Sequence, residues 1–206
     1  MMTENKTSTE SLIEGNYYDK YNSKNPLVRF VMKIFNDALL KFVKQANPKT
    51  ALDVGCGEGY TTALIKEKFP ELEISGIELG EKTLKKAQNL HKSINFEQGS
   101  AYDIKRRDES CDLALSSEVL EHLDNPLKGL LELKRVSRRF VLVSVPNEPW
   151  WRLANIARFY YLKDFGNTPG HVNHWSKKSF ELFLRPHFSK VQIKNALIWN
   201  IALCEK

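Results

Sequence analysis

Two carboxylates and an imidazole stand close together in the segment Glu118-Val-Leu-Glu121-His122. Positions i, i+3 and i+4 share one face of a helix, so the side chains of Glu118, Glu121 and His122 are expected to converge. Such a group can take up a proton from a substrate, with His122 as the base and Glu121 beside it as the second catalytic residue. The alternative is that these residues only position a substrate or hold loops by hydrogen bonds.

A second motif allows a ligand to lie against bare backbone. The stretch Ala51-Leu-Asp53-Val-Gly55-Cys-Gly57-Glu-Gly59 reads as a strand, a tight loop and the start of a helix. Glycine has no side chain and tolerates positive φ, which permits close approach. The spacing G-x-G-x-G differs from the G-x-G-x-x-G of dinucleotide folds, and Asp53 would repel a pyrophosphate. The loop therefore favours a ligand with a cationic, amino-acid-like part.

Polar residues also follow the next predicted strands. Glu78 ends the apolar strand 72–77, Ser100 follows the strand 94–98, and Ser116 and Ser117 end a strand that begins at 111. Ligands of open α/β sheets bind at the carboxyl ends of the strands. We therefore expect these residues and Asp53 to line one pocket.

In order and spacing, these motifs resemble those of class I S-adenosylmethionine (SAM)-dependent methyltransferases, over about residues 45–205. The resemblance is to methyltransferases of type 11 and to ubiquinone-biosynthesis O-methyltransferases. It implies an α/β fold with a Rossmann-like, seven-stranded, mostly parallel sheet, a C-terminal antiparallel pair of strands, and helices on both faces. It also implies SAM as the cofactor.

The resemblance further implies which residues contact SAM. The glycine loop would face the methionine part, Glu78 the ribose, and the turn after the third strand the adenine, with Ser100 where many members carry Asp. Arg29 would bind the SAM carboxylate, although Asn25-Pro-Leu-Val-Arg29 is one residue longer than the family's Asn-Pro-Leu-Arg stretch. The predicted cofactor-binding residues are Arg29, Asp53, Gly55, Cys56, Gly57, Gly59, Glu78, Leu79, Ser100, Ala101, Tyr102, Ser116 and Ser117.

A metal site is implied by a likeness to small-RNA 3′-terminal 2′-O-methyltransferases. There a similar Glu-x-x-Glu-His holds a divalent metal together with a later His that precedes a Trp by four residues. His171 and Trp175 have this spacing here, and His174 is the competing ligand. The predicted metal ligands are therefore Glu118, Glu121, His122 and His171, with Mg²⁺, Mn²⁺ or Zn²⁺ as the ion. A metal would acidify a substrate hydroxyl.

The predicted function is methylation of a small-molecule hydroxyl by SAM, with or without a metal. The first alternative is an RNA methyltransferase acting on the 2′-hydroxyl of a 3′-terminal ribose, with RNA as the partner. The alternative from another class is a non-catalytic SAM-binding regulatory or partner subunit. Such a subunit should show a broken glycine motif, whereas Gly55, Gly57 and Gly59 are all present.

The order of elements predicts how the chain is organised. Residues 1–45 are expected to form an N-terminal tail and a helix that cover the cofactor site. Residues 46–206 are expected to form the methyltransferase domain, with an acceptor-side insert at about 147–175 that is rich in aromatic residues.

Composition narrows the class of protein. The 206 residues are 42% hydrophobic and carry a net charge of +6, which fits one domain whose basic residues are mostly dispersed. The three cysteines have no metal-type spacing, and the N-terminus lacks an apolar leader region. No apolar run approaches the length of a membrane span. We therefore expect a cytoplasmic protein; no residue pattern defines its oligomeric state.

Overall fold

The computed structural model describes Tyr21 and residues 23–206. Its first elements are α1 (Pro26–Ala46), β1 (Thr50–Val54), α2 (Tyr60–Lys68), β2 (Glu73–Glu78), α3 (Glu81–Leu90), β3 (Asn95–Gln98) and β4 (Cys111–Ser117). The later elements are α4 (Pro126–Val136), β5 (Ser137–Pro146), α5 (Trp150–Ala157), α6 (Lys177–Leu184), β6 (Lys190–Ala196) and β7 (Trp199–Glu205).

The seven strands of the described chain form one sheet in the order β3-β2-β1-β4-β5-β7-β6. β1 to β5 run parallel, and β7 is antiparallel to both β5 and β6. The predicted α/β fold with its C-terminal antiparallel pair is confirmed. The strand order switches between β1 and β4, and a crevice forms at the carboxyl ends of the strands at such a point.

Both faces of the sheet are covered by helices, because the strands alternate their side chains between two cores. On β4, Leu113 and Leu115 join the core beneath α1 and α2, whereas Ala114 joins the core beneath α4 and α6. Side chains of successive strand residues point to opposite faces, so a strand buried on both sides reads as a continuous apolar run.

The helix α1 begins and ends where its sequence predicts. The Asn25 side chain accepts a hydrogen bond from the Leu27 amide, and Pro26 occupies the first turn, where its missing N–H costs nothing. At the other end, Asn47 is left-handed with φ 46°. The helix packs its apolar side on the sheet through residues such as Phe35, whose ring lies 4.9 Å from that of Trp199.

The predicted insert at 147–175 leaves and returns at one point on the carboxyl edge of the sheet. Asn147 bridges to Trp175, and the amide of Glu148 donates to the carbonyl of Trp175. Between these ends lie α5 and a 3₁₀ turn at Leu162–Asp164. The insert therefore begins and ends beside the strand ends that carry the predicted site.

One local expectation was wrong. Residues 118–122 do not form a helical face, because Glu118 has φ 58° and only Leu120–His122 form a 3₁₀ turn. The sharp bend is needed where β4 ends, since Asn125 already caps the next helix.

Of the segment 1–45 that was predicted to cover the cofactor site, residues 1–20 and 22 lie outside the described residues. Among the described helices, none is both long and apolar enough to cross a membrane.

Candidate functional site

The glycine loop connects β1 to α2 and is hydrogen-bonded to β2. The amides of Gly55 and Cys56 both donate to the carbonyl of Ile77, at 2.8 and 3.0 Å. Gly57 has φ 58°, and a Cβ placed there would meet no atom within 4 Å, so its backbone faces open space. At Gly59 a Cβ would lie 2.7 Å from the ring of Phe96, so this position requires glycine for close packing.

Two carboxylates stand on either side of this loop. Asp53 is 1% exposed; one oxygen accepts the Thr62 hydroxyl at 2.6 Å, and the other, Oδ1, has no hydrogen-bond partner among the described residues. Glu78 accepts the amides of Gly57 and Gly80, at 2.8 and 2.9 Å. Burial raises the pKa of the Asp53 carboxyl to about 7; the Thr62 hydrogen bond opposes the rise and the charge of Glu78 adds to it. A cation bound beside Oδ1 would relieve this unfavourable burial.

These groups open into one pocket at the carboxyl ends of β1, β2 and β4. The described residues that line it are Tyr21, Asp53, Gly55, Cys56, Gly57, Glu58, Tyr60, Thr61, Glu78, Leu79, Thr83, Gly99, Ala101, Ser117, Glu118, Val119, His122 and Leu123. The lining includes four acidic residues and, among the described residues, no lysine or arginine. Its field therefore favours ligands that are neutral or cationic.

Ten residues predicted from the sequence lie in this lining: Asp53, Gly55, Cys56, Gly57, Glu78, Leu79, Ala101, Ser117, Glu118 and His122. Other predicted residues lie outside the lining and form hydrogen bonds with the backbone near it. Ser116 is buried and donates to the carbonyl of Val54, and the Ser100 hydroxyl accepts the amide of Tyr102. Arg29 is exposed on α1 and is not among the described lining residues.

The structure adds lining residues that the sequence motifs did not mark. Tyr21 stacks on Tyr60, with ring centroids 4.8 Å apart, and its hydroxyl lies 3.1 Å from that of Thr61. The tyrosine-rich stretch before α1 was the available signal, but nothing in it distinguished a residue over the pocket from one packed elsewhere. No sequence motif marked Thr83. It lines the pocket because α3 begins at Glu81, shortly after Glu78.

The second cluster consists of Glu121, His122 and His171, whose ligand atoms all lie within 4.8 Å of one another. Glu121 is fully buried, and the two imidazole rings are 4.8 Å apart and nearly perpendicular. Glu118 is not part of this set; its backbone is left-handed, and it precedes the 3₁₀ turn at Leu120–His122. His174 is also outside it, since its Nε2 contacts Arg152 and Asn167 instead.

Backbone hydrogen bonds bring His171 to this cluster from far along the chain. The amides of Val172 and Asn173 donate to the carbonyl of Glu121, and the Asn173 side chain donates to the carbonyl of Leu123 at 2.6 Å. His122 has its Nδ1 2.9 Å from the carbonyl of Gly170. A carbonyl can only accept, so Nδ1 carries the proton, and Nε2 of the neutral ring is the basic nitrogen.

Comparison with known proteins agrees with this geometry. Residues 52–141 match the family model described as a methyltransferase domain. The matched methyltransferase domain runs from β1 into β5 and includes the glycine loop, Glu78 and the turn at Glu121.

Relatives of greater length share the methyltransferase domain. The uncharacterised methyltransferase C1B3.06c of Schizosaccharomyces pombe is 32% identical over 141 residues, which are 63% of this chain and 50% of that protein. The chain therefore spans about half the length of this relative.

Solved structures show the same fold at low identity. The methyltransferase domain of bacterial CtHen1-C has a TM-score of 0.66 at 21% identity, covering 85% of this chain and 98% of that one. The plantazolicin methyltransferase BpumL, solved with a desmethylPZN analog and S-adenosylhomocysteine (SAH), has a TM-score of 0.68 at 15% identity, covering 88% and 92%.

Proposed function

We propose that this protein transfers a methyl group from SAM to a hydroxyl of a small molecule. The observation that carries the proposal is the buried, unsatisfied Oδ1 of Asp53 in a pocket walled by the glycine loop. A buried carboxylate oxygen is costly without a partner, and an ammonium group such as that of the methionine part would satisfy it. We assign Glu78 to the ribose hydroxyls, which its carboxylate oxygens could accept in addition to the amides of Gly57 and Gly80.

The bound cofactor would supply an electrophilic methyl group on a cationic sulfur, so the chain's own task is to place and activate the acceptor. His122 lines the pocket and presents Nε2 as its basic nitrogen, since Nδ1 donates to Gly170. We assign His122 the role of base for the acceptor hydroxyl. Ser117, Val119 and Leu123 line the same pocket.

The acidic lining supports a small acceptor over RNA. Of the acidic lining residues, Glu58 is paired with Lys86, and Asp53 and Glu78 are assigned to the cofactor. Glu118 would repel the phosphates of a nucleic acid that entered the pocket. The intact glycine loop and the pocket beside it likewise favour an enzyme over a non-catalytic SAM-binding subunit. RNA as partner, and the cytoplasmic location expected from the sequence, remain predictions.

Calorimetric titration with SAM tests the cofactor assignment. We expect wild-type protein to bind, and Gly57→Arg to lose binding because the new side chain would project into the pocket. Since a Cβ at Gly57 meets no atom within 4 Å, the variant should lose stability only through its left-handed backbone, by about 1–2 kcal/mol. Unchanged affinity in a folded Gly57→Arg protein would refute the assignment. Release of SAH with a panel of hydroxylated small molecules, or with an RNA bearing a free 3′ end, then identifies the acceptor class.

A second candidate is a metal-assisted version of the same reaction. The observation that favours it is the convergence of Glu121, His122 and His171, whose oxygen and nitrogen atoms are the donors that Mn²⁺ and Zn²⁺ accept. The fully buried Glu121 carboxylate suits a site in which positive charge is nearby. When bound, such an ion would lower the pKa of an acceptor hydroxyl.

Titration of Mn²⁺ or Zn²⁺ into protein saturated with SAH tests this candidate. Glu121→Gln should abolish the binding with little change in volume, whereas Glu118→Gln should retain it, because Glu118 lies outside the set. If neither metal binds, or if Glu121→Gln binds as the wild type does, the cluster of Glu121, His122 and His171 is not a site for Mn²⁺ or Zn²⁺.

A further inference from the structure

The segment 150–165 exposes an unusual share of the protein's large apolar side chains. Of the sixteen such residues exposed in the described chain, seven lie in this stretch, and they are here called the aromatic surface: Trp150, Leu153, Ile156, Phe159, Tyr160, Leu162 and Phe165. Single exposed apolar residues need no explanation, but a concentration of them marks an interaction site.

The helix α5 within this segment is inverted relative to an ordinary surface helix. Its inner side carries Trp151, which packs against Trp199, and Asn155, which is buried and hydrogen-bonded to Gly166. Trp150, Leu153 and Ile156, spaced three apart, are exposed instead. A helix of a soluble protein normally buries its apolar stripe and exposes its polar residues.

Three bulky residues of the segment have a strained, left-handed backbone. Phe159, Tyr161 and Phe165 have φ of 60°, 53° and 50°, a left-handed conformation that is unfavourable for bulky residues. The amide of Gly166 donates to the carbonyl of Tyr161, and that of Tyr160 to Asn155, which fixes these bends. Phe159 and Phe165 nevertheless remain 82% and 79% exposed, so burial within the described chain does not offset the strain.

Cationic side chains accompany the rings. Arg158 and Lys163 are exposed, and the Arg158 guanidinium lies over the ring of Tyr160. Asp164 is the acidic residue among them, and the whole chain carries a net charge of +6. Aromatic and aliphatic side chains interleaved with Arg and Lys are the composition that settles at the interface of an anionic bilayer.

We propose that the aromatic surface docks on a lipid bilayer that carries anionic headgroups. Phe159 and Phe165 would enter the interface, and Lys163 would meet the phosphates. None of the seven side chains is among the described residues that line the cofactor pocket. The segment belongs to the insert at 147–175, which also carries His171 of the cluster with His122. This surface is separate from the cofactor site.

Co-sedimentation of the full chain with vesicles tests the proposal. We expect binding to phosphatidylcholine vesicles that contain phosphatidylglycerol, weaker binding to pure phosphatidylcholine, and a loss of binding as salt is raised. The double variant Phe159→Ser/Phe165→Ser should lose binding, whereas Leu182→Ser, which removes a 61% exposed leucine on α6, should bind as the wild type does. Lys163→Glu should weaken binding to the anionic vesicles, and Lys178→Glu, an exposed lysine of α6, should not.

Several outcomes would overturn the proposal. It fails if no vesicle binds, or if the double Phe variant binds as well as Leu182→Ser. It also fails if light scattering shows a dimer that the double variant abolishes while vesicles have no effect, since a second copy of the chain would then be the occupant. Far-UV circular dichroism and SAM affinity should be unchanged in each variant, so a failure here leaves the methyltransferase proposal intact.

Discussion

At the scale of single residues, the pocket depends on a carboxylate that the fold leaves partly unsatisfied. Asp53 is buried, hydrogen-bonded through one oxygen to Thr62, and close enough to Glu78 for their charges to interact. Burial, with a smaller effect from the charge of Glu78, raises its pKa to about 7, so the residue should be partly protonated near neutral pH when no cation is bound. A bound ammonium group would favour the ionised form, so cofactor binding should release a proton.

The affinity for SAM should therefore rise with pH in a way that depends on Asp53. If the bound carboxylate is fully ionised, affinity at pH 8 should exceed that at pH 6 by about tenfold from this group alone. The cofactor's own amino group also titrates near this range, so the ratio of wild-type affinity to that of Asp53→Asn is the quantity to follow. Calorimetric titrations between pH 6 and pH 8 measure it; a ratio that does not change with pH would contradict the prediction.

At the scale of elements, the site is assembled by connections of very different sequence separation. Alternating strands and helices, with acidic residues at the strand ends, were enough to predict the parallel sheet, the glycine loop and the place of Glu78. The meeting of His171 with Glu121 was suggested only by a resemblance, because the chain between α5 and α6 has no periodicity. The left-handed turn at Glu118 was missed, since spacing rules describe a helix and not the bend that ends a strand.

Asn173 connects the segment around His171 to the turn at Glu121 by hydrogen bonds. Its side chain donates to the carbonyls of Leu120 and Leu123, and its amide donates to that of Glu121. Asn173→Ala should leave the two side-chain-bonded carbonyls without this donor and reduce the free energy of unfolding by about 1–3 kcal/mol. Val172→Ala, at the exposed neighbouring position, is the matched control and should change it by less than about 0.5 kcal/mol.

Denaturant unfolding of Asn173→Ala and Val172→Ala measures whether Asn173 stabilises the loop at 167–175. Equal stability of the two proteins would mean that the loop at 167–175 is held by other contacts. Once an acceptor is known, turnover should fall in Asn173→Ala more than SAM affinity does, because the residue supports the acceptor side and does not line the cofactor pocket.

At the scale of the whole molecule, the elements outside the stretch that matches the methyltransferase family model pack into the same core as that stretch. The helix α1 precedes residue 52, and β6 and β7 follow residue 141. Nevertheless Phe35 and Leu39 of α1 share one buried cluster with Leu113 of β4 and Trp199 of β7. The N-terminal helix was predicted from its apolar periodicity, but its partners could not be predicted, because they come from strands distant in sequence.

This shared core predicts that the described chain unfolds as one unit. Phe35 is fully buried against Trp199, so Phe35→Ala should leave a cavity between α1 and β7 and cost about 3–5 kcal/mol. Leu27→Ala, at a 64% exposed position of the same helix, should change stability by less than about 0.5 kcal/mol. Urea unfolding followed by tryptophan fluorescence and by far-UV circular dichroism should give coincident single transitions for both proteins. A separate early transition in Phe35→Ala, with the remainder as stable as the wild type, would instead make α1 an independently detaching element. In that case the residues before β1 could move without unfolding the pocket.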